Sequence, residues 1–328
     1  MKREGLASGK VILFGEHAVV YGVPAIAVGI DRGARAIIRS REDAPGGDES
    51  VLHVSDWGIS VTDGSEEPSL ARAFRDLLKI SRARATGKAR DGLDGALYAE
   101  ASADLPPGGG LGCSAAMGVA VARALDPTAS TDEIIERVMA WERVFHGNAS
   151  GIDASVSAKG GCVFFRRGEP MESVRAKDGL LLCIGNTGVV SGTKAMVDAV
   201  AELKTRRPEV AEKAFEGIRS LVGNARLALE AGDRAAVGKL MDLNQMLLSG
   251  LMVSSHEIEE MCSAARDAGA LGAKLTGAGG GGSVVALVDD DSGAERVLSS
   301  WKGKGFSGFT ARVRTSATSR AVPLESSP

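Results

Sequence analysis

The most constraining feature of this chain is a glycine-rich stretch that runs directly into an apolar one, residues 104–125 (DLPPGGGLGCSAAMGVAVARAL). Residues 105–112 cannot form regular structure, because two prolines fix φ and four glycines permit conformations that other residues avoid. Residues 114–125 lack proline and are rich in Ala and Val, which predicts a buried helix. The fold must therefore place a glycine loop at the N-terminus of a helix.

Such a loop collects free backbone N–H groups at the positive end of the helix dipole. That arrangement is typical of an anion site, and a polyphosphate is the anion that suits it best. The alternative is a glycine-rich turn that only connects a strand to a core helix. Four glycines within five positions would weaken a turn with no other role, so the pattern favours phosphate binding.

Three familiar nucleotide-binding patterns are excluded. The chain has no G-x-x-x-x-G-K-[ST] loop and no protein-kinase H-R-D or D-F-G set. A G-x-G-x-x-G pattern occurs at Gly277, Gly279 and Gly282, but a strand-like run (SVVALV) follows it. A dinucleotide fingerprint opens a helix, so the sequence does not indicate a dehydrogenase.

Composition narrows the class of protein further. The 328 residues allow one large or two ordinary domains, and 44% hydrophobic with 25% charged residues is typical of a globular protein. A net charge of −3 gives no electrostatic footprint for nucleic acid. The four cysteines form no C-x-x-C pair, and no apolar run has membrane-spanning length. We expect a cytoplasmic protein with neither nucleic-acid nor membrane partners.

Hydrophobic periodicity predicts an α+β chain in two parts. Strands are predicted at residues 10–14, 25–28, 34–38, 51–61, 96–102, 162–165, 180–184 and 310–314, and on both sides of the glycine loop at 277–282. Helices are predicted at residues 68–80, 114–125, 131–145, 193–204, 208–231, 235–252, 256–268 and 293–301. We expect domains at 1–175 and 176–315 with a disordered tail at 316–328, and one cleft lined by a glycine loop from each half.

Glu16 and His17 lie between two predicted buried strands. A carboxylate beside an imidazole is costly to bury unless it meets a polar partner, so a ligand site is one interpretation. A solvated hairpin loop is the other, and this stretch alone does not decide between them.

Glu142 occupies a core position on an amphipathic helix, in register with Ile135 and Val138. A charge there needs a partner, and a Mg²⁺ ion held together with a phosphate would serve. A surface arginine, Arg137 or Arg143, is the alternative.

Asp153 is a single carboxylate among small, turn-forming residues. That setting is common for a catalytic acid presented from a loop, but the alternative, an Asx turn or helix cap, is favoured for an isolated Asp.

Taken together, three segments resemble the motifs of the GHMP small-molecule kinases, in the same order. They are residues 10–22 (KVILFGEHAVVYG), 106–116 (PPGGGLGCSAA) and 274–282 (KLTGAGGGG). The first segment, with the pattern E-x-x-x-H-G-N-x-S-G-x-D at residues 142–153, is most similar to the members that phosphorylate mevalonate. The resemblance implies an N-terminal α/β domain like ribosomal protein S5 and a helix-rich, ferredoxin-like α+β C-terminal domain.

The resemblance also implies ATP-dependent phosphorylation of the 5-hydroxyl of mevalonate. Asp153 would accept or orient the hydroxyl proton, Lys10 would lie between Asp153 and the transferred phosphoryl group, and Mg²⁺ would be bound by Ser114 and Glu142. The ATP loop would comprise Pro107, Gly108, Gly109, Gly110, Leu111, Gly112, Cys113, Ser114 and Ala115. The acceptor would meet Glu16, His17, Thr193, Gly277, Ala278 and Gly279.

One departure from the family pattern concerns the acceptor. Many members carry an arginine just before the position of Thr193, where this chain has Val190, Ser191 and Gly192. His17 or Lys10 would then bind the carboxylate of mevalonate, or the acceptor is a different molecule. A sister kinase for another alcohol or a mevalonate phosphate, and a sensor that binds ATP without transfer, are the alternative functions. The oligomeric state is open, with a homodimer as one option.

Overall fold

A computed structural model describes residues 2–40, 48–87, 90–106, 108–146, 151–190 and 192–313. The predicted tail at 316–328 lies outside these residues, and so does Pro107. Within the described part of the chain, the strands form two sheets and the α-helices pack against them. The predicted α+β class is confirmed.

The first sheet has seven strands. They are β1 (Lys2–Phe14), β2 (Ala25–Ser40), β3 (Val51–Val54), β4 (Ile59–Thr62), β5 (Leu97–Ala103), β6 (Cys162–Phe165) and β7 (Glu172–Val174). The order is β4-β3-β5-β2-β6-β7, and β1 pairs antiparallel with β2. The helices of this half are α1 (Ser69–Arg84), α2 (Cys113–Leu125), α3 (Thr131–His146) and α4 (Ile152–Lys159). Helix α2 packs against β1, β2, α3 and α4, so it lies at the centre of this half.

The second sheet has four strands in the order β11-β8-β10-β9, all of its pairs antiparallel. The strands are β8 (Leu180–Asn186), β9 (Gly272–Thr276), β10 (Ser283–Val288) and β11 (Ser307–Val313). The helices are α5 (Thr193–Arg206), α6 (Pro208–Ala231), α7 (Arg234–Gly250), α8 (His256–Asp267) and α9 (Asp291–Gly303). The predicted β-loop-β-α-β pattern at the end of the chain is confirmed as β9, β10, α9 and β11.

Helix boundaries follow local sequence closely where caps exist. Ser130 and Glu133 form a capping box before α3: Ser130 N donates to the Glu133 carboxylate and Glu133 N donates to Ser130 Oγ. Asp233 accepts a hydrogen bond from Ala236 N at the start of α7, and Ser255 accepts one from Ile258 N at the start of α8.

Two strand predictions were wrong. Residues 25–28 and 34–38 were expected as separate strands, but they belong to one strand, β2, which also contains Gly29. A Cβ on Gly29 would lie 2.7 Å from Gly160 Cα, so glycine is required there by close backbone approach and not by a turn. Residues 51–61 were expected as one strand, but a short 3₁₀ turn, Ser55–Trp57, separates β3 from β4.

Candidate active site

An ion pair lies where strand β1 meets the first glycine loop. Lys10 Nζ is 3.0 Å from Asp153 Oδ1 and donates a second, longer hydrogen bond to the carbonyl oxygen of Gly110 at 3.3 Å. The Lys10 side chain is 5% exposed, whereas that of Asp153 is 28% exposed. The carboxylate of Asp153 is therefore accessible to solvent, whereas the Lys10 side chain is buried.

The expectation that a loop presents Asp153 was wrong. Asp153 lies in the first turn of α4, whose N-cap is Gly151 at φ +79°. This helix has eight residues, and nearly all of its side chains are buried, so it shows no amphipathic period from which it could be predicted. Its N-terminus places the carboxylate at the positive end of a helix dipole, which stabilises negative charge.

The predicted ATP loop opens helix α2 as expected. The N-cap is Gly112 at φ +70°, and no side chain caps the helix, so the amides of the first turn have no intrahelical partner. Lys10 N donates to Leu111 O at 2.8 Å, which holds the loop against β1. Gly108 and Gly110 are exposed, while Gly109, Leu111, Cys113 and Ala115 are buried. Only the backbone of these buried residues is suited to contact a ligand.

Cys113 is a buried thiol at the start of α2. Its Sγ lies 3.9 Å from Leu105 O, and burial raises the pKa of the thiol to about 11. It therefore stays protonated and packs as a small apolar side chain.

Ser114 and Glu142 meet as predicted for a pair of metal ligands. Ser114 Oγ donates to Glu142 Oε1 at 3.3 Å, and Trp141 Nε1 donates to both Ser114 Oγ (3.2 Å) and Ser114 O (3.1 Å). The interpretation that Arg137 neutralises Glu142 does not hold, because Arg137 pairs with Asp126 at 2.9 Å.

Glu142 is 2% exposed, and the electrostatics around it favour a cation. Burial, followed by the neighbouring charge of Asp153, raises the pKa of Glu142 to about 7, against the hydrogen bond from Ser114 and the charge of Lys10. Within the described residues, no group of three or more His, Cys, Asp or Glu side chains could hold a metal ion. A Mg²⁺ ion here would need ligand oxygens from a bound phosphate, as is usual for this ion.

Glu16 makes a fully buried ion pair with Lys274 on β9, in the other half of the chain. Lys274 also donates to Leu275 O at 2.6 Å, and Asn244 Nδ2 on α7 approaches Glu16 Oε2 at 3.4 Å. Burial raises the pKa of Glu16 and lowers that of Lys274, and their mutual attraction opposes both shifts. The structure thus supplies the polar partner that the sequence required for Glu16.

His17 also bonds across the two halves. Its Nε2 is 2.7 Å from the carbonyl oxygen of Ala278 in the second glycine loop, and the residue is 7% exposed. Burial lowers the pKa of His17, although the hydrogen bond to Ala278 acts in the opposite direction.

The two glycine loops touch each other. Ser283 Oγ donates to Gly109 O at 2.7 Å, and a Cβ on Gly110 would lie 3.5 Å from Gly277 Cα. A Cβ on Gly279 would lie 2.1 Å from Val253 O, so only glycine fits at that position. The glycine loops of the two halves therefore pack directly against each other, and the cleft expected between the halves stays a prediction.

Thr193 is the contact predicted between the acceptor and the C-terminal half. It is the first residue of α5 and is exposed, and its N-cap, Gly192, provides no side-chain cap. Its predicted contact with the acceptor stays a prediction.

Sequence reasoning missed several residues that hold the site together. Lys274 and Asn244 hold Glu16, Trp141 holds Ser114, and Thr276 Oγ1 accepts from Ile12 N and donates to Ile12 O, both at 3.1 Å. Lys274 had a readable signal, because a lysine inside a short apolar strand needs a buried carboxylate. Asn244 on α7 and Trp141 on α3 carried no sequence signal that could have predicted their contacts.

Family models and relatives identify the chain's family. The model described as GHMP kinases N terminal domain matches residues 72–161, and the one described as GHMP kinases C terminal matches residues 225–307. A mevalonate kinase of Pyrococcus horikoshii is 36% identical over 302 residues, covering 86% of this chain and 87% of its own length. One of Aeropyrum pernix is 34% identical over 324 residues, covering 95% and 97%.

A solved structure gives the same result. The L. major mevalonate kinase in complex with R-mevalonate superposes with a TM-score of 0.77 at 28% identity, covering 96% of this chain and 97% of that one. The order of the motifs, the family models and these relatives agree. The chain belongs to the mevalonate kinase family of the GHMP kinases.

Proposed function

We propose that this chain transfers the γ-phosphoryl group of ATP to the 5-hydroxyl of mevalonate, and that Lys10 and Asp153 carry out the transfer. The observation that carries the proposal is their ion pair, 3.0 Å long, beside Gly110 of the first glycine loop and the N-terminus of α2. The relatives named above act on mevalonate, which supports it as the acceptor.

The triphosphate would lie along the first glycine loop. Gly108 and Gly110 are exposed, and the first-turn amides of α2 follow them, so backbone donors are concentrated where phosphate oxygens would bind. Lys10 adds a fixed positive charge at the end of this row. The predicted roles of residues 107–115 thus rest on backbone groups more than on side chains.

Phosphoryl transfer needs positioning and charge stabilisation more than covalent chemistry, because its transition state is loose. Asp153 has the exposure needed to accept or orient the proton of the attacking hydroxyl. Lys10 is held by Asp153 and Gly110, so its ammonium group stabilises charge that develops on the transferred group without having to reorganise.

The residues present fit a Mg²⁺ ion, which we propose as the second cofactor beside ATP. Ser114 and Glu142 offer two oxygens 3.3 Å apart, and the charges of Glu142 and Asp153 repel each other in the absence of a cation. Bound there with phosphate oxygens, Mg²⁺ would neutralise charge on the triphosphate.

We assign the acceptor to the place where the two halves meet at His17 and Gly277–Gly279, with Asp153 as the reacting group and Thr193 contributing from α5. The side chain of Glu16 is fully buried against Lys274, so Glu16 would position its neighbours and would not contact the acceptor directly. The close packing of the two glycine loops supports this place, because it excludes water around the reacting groups.

We further propose that the chain divides into domains at residues 1–175 and 176–315, since β7 ends at Val174 and β8, in the other sheet, begins at Leu180.

The described helices include none with the length and apolarity to cross a bilayer. All four cysteines are free and buried, which supports a reducing compartment, the cytoplasm. Small molecules are its proposed partners, without nucleic acid or membrane. Light scattering would distinguish a monomer from the homodimer that we hold open.

A coupled assay of ADP release tests the function. With ATP and Mg²⁺, we expect turnover with mevalonate and only background release with phosphomevalonate, homoserine or galactose. Faster turnover with any of the other three acceptors would contradict the proposal, and so would turnover that EDTA leaves unchanged.

A further inference from the structure

Trp141 is a buried aromatic residue on α3 that bonds to Ser114, one of the two proposed metal ligands. The residue is 0% exposed, and its Nε1 donates to Ser114 O at 3.1 Å and to Ser114 Oγ at 3.2 Å. The next residue of α3, Glu142, accepts from Ser114 Oγ at 3.3 Å. Two consecutive residues of α3 therefore bond to the same hydroxyl group.

These two bonds determine which way the hydroxyl of Ser114 points. An indole N–H can only donate and an ionised carboxylate can only accept, so the oxygen accepts from Trp141 and its hydrogen points to Glu142. A hydroxyl oxygen has two lone pairs, which leaves one for a further ligand. Of the residues that the structure describes, no other shares a hydrogen bond with Ser114 Oγ. A serine side chain otherwise rotates among three staggered positions, and bonds on two sides hold it in one of them.

Gly118 makes room for the indole on α2. It lies one turn beyond Ser114, and a Cβ there would lie 2.9 Å from Trp141 Cδ1 and 3.1 Å from Trp141 Nε1. Glycine inside a helix costs about 1 kcal/mol relative to alanine, so its presence within α2 needs a reason. The close contact supplies that reason, because a side chain at position 118 would push the ring away from the first turn of α2.

We propose that Trp141 is a positioning residue for the bound cation: its indole N–H holds the hydroxyl of Ser114 in an orientation that leaves a lone pair for Mg²⁺ beside the carboxylate of Glu142. Trp141 acts through Ser114 and does not contact the ion itself. The inference rests on the proposed function, in which Ser114 and Glu142 bind Mg²⁺. Removing a hydrogen-bonded partner of a metal ligand typically weakens metal binding by about 10- to 100-fold.

The bond between the indole and the hydroxyl can be measured without metal or nucleotide. The chain has three tryptophans, so replacing each by phenylalanine in turn assigns the three indole N–H signals in a ¹H–¹⁵N spectrum. Ser114→Ala removes one of the two acceptors of Trp141, and we expect the Nε1–H signal of Trp141 to move upfield. The signal of Trp301, whose Nε1 donates to Met261 O, should not move. An unchanged Trp141 signal in Ser114→Ala would overturn the proposal.

The effect on the metal is measured with a non-hydrolysable ATP analogue, so that no turnover is needed. The ratio of its Kd in EDTA to its Kd in saturating Mg²⁺ reports how strongly metal and nucleotide favour each other's binding. We expect Trp141→Phe to lower this ratio about tenfold and to leave the Kd in EDTA within about twofold of the wild-type value.

Trp301→Phe is the matched control. Trp301 is also 0% exposed, donates to a backbone oxygen and packs against a glycine, since a Cβ on Gly185 would lie 2.8 Å from its ring. Its loss should damage the core to a similar extent and leave the ratio unchanged. Equal ratios in Trp141→Phe and Trp301→Phe would overturn the proposal.

A double variant separates positioning from general damage to the fold. If Trp141 acts through Ser114, the ratio in Trp141→Phe/Ser114→Ala should equal that in Ser114→Ala alone, because the two losses are then not additive. Additive losses would overturn the positioning role. A wild-type ratio in Ser114→Ala would overturn the proposed metal site and this inference together, whereas a wild-type ratio in Trp141→Phe alone would overturn only the inference.

Discussion

The structure contains two lysine–carboxylate pairs of the same chemistry whose surroundings differ. Lys10 and Asp153 are 3.0 Å apart, and the carboxylate is 28% exposed. Lys274 and Glu16 have no exposed side-chain surface at all. The first pair joins β1 to α4 within one half, while the second joins the loop after β1 to β9 in the other half.

The difference in exposure indicates that one pair takes part in the reaction and that the other holds the two halves together. A carboxylate that meets solvent on one side can exchange its partner for a substrate hydroxyl. A fully buried pair cannot do so without a large desolvation penalty, and such pairs add little net stability compared with apolar residues of similar size. The buried pair of Lys274 and Glu16 therefore fixes the positions of Glu16 and of the next residue, His17. The partly exposed pair of Lys10 and Asp153 can react.

Removing the reactive carboxylate should have the largest effect. Asp153→Asn keeps the size of the side chain but cannot accept a proton, so we expect kcat to fall by about 10³-fold with little change in the affinity for ATP. Stopped assays of product formation and a nucleotide-binding titration measure the two quantities.

The matched control for that substitution is Asp132→Asn. Asp132 also pairs with a lysine, Lys159, at 3.3 Å, but its side chain is 82% exposed. It should retain wild-type turnover. If Asp153→Asn keeps more than a tenth of the wild-type kcat, Asp153 is not the reacting group and the distinction between the two pairs fails.

Breaking the buried pair should mainly affect folding. Lys274→Met leaves the carboxylate of Glu16 buried without its cation, and we expect the free energy of unfolding to fall by about 3–5 kcal/mol. The double variant Lys274→Met/Glu16→Leu should recover most of that loss while activity stays low. Chemical denaturation measures both. If the free energy of unfolding of Lys274→Met falls by less than about 1 kcal/mol, the pair does not hold the two halves together.

Glu142 shows what burial does to a carboxylate whose hydrogen bond comes from Ser114. Its pKa is about 7 in the folded protein against 4.5 for the free group, so the folded state binds more protons than the unfolded state between these values. In metal-free buffer, the free energy of unfolding should therefore fall as pH rises from about 4.5 to about 7, by up to about 3 kcal/mol. Glu142→Gln should lack this part of the slope. Parallel pH profiles of the two proteins would contradict the assignment.

The contact between the glycine loops should show the smallest effect. Ser283→Ala removes the hydrogen bond to Gly109 O, and we expect a loss of about 1 kcal/mol in stability and an increase of a few-fold in the KM for ATP. Ser300→Ala, which loses a hydrogen bond to Ala264 O outside the cleft, is the control. Equal kinetics for the two variants would mean that the loops do not support each other.

Much of this architecture could be predicted from local patterns. The capping box at Ser130, the helix after Gly112 and the strand–loop–strand around residues 277–282 all have signals that act over a few residues. Helix α4 has none, because it is short and buried on nearly every face. The division of β2 into strands at 25–28 and 34–38 was wrong because Gly29 is required by a close approach to Gly160, a tertiary contact that no local pattern shows.

The candidate site likewise contains residues that the motifs predicted and residues that they did not. The motifs supplied Lys10, Ser114, Glu142 and Asp153, and the structure brings these side chains together. The partners that cross between the halves could not be predicted. Asn244, for example, reaches Glu16 from 228 positions away. Contacts of that range depend on how the two sheets meet, and no local pattern encodes it.

The central claim is that Asp153, supported by Lys10, faces the alcohol that receives the phosphoryl group. A crystal structure with a non-hydrolysable ATP analogue, Mg²⁺ and mevalonate tests it most directly. The account predicts the 5-hydroxyl oxygen within about 3 Å of the Asp153 carboxylate and the γ-phosphate against Lys10. A 5-hydroxyl outside hydrogen-bonding reach of Asp153, with a different side chain in contact with it, would contradict the account.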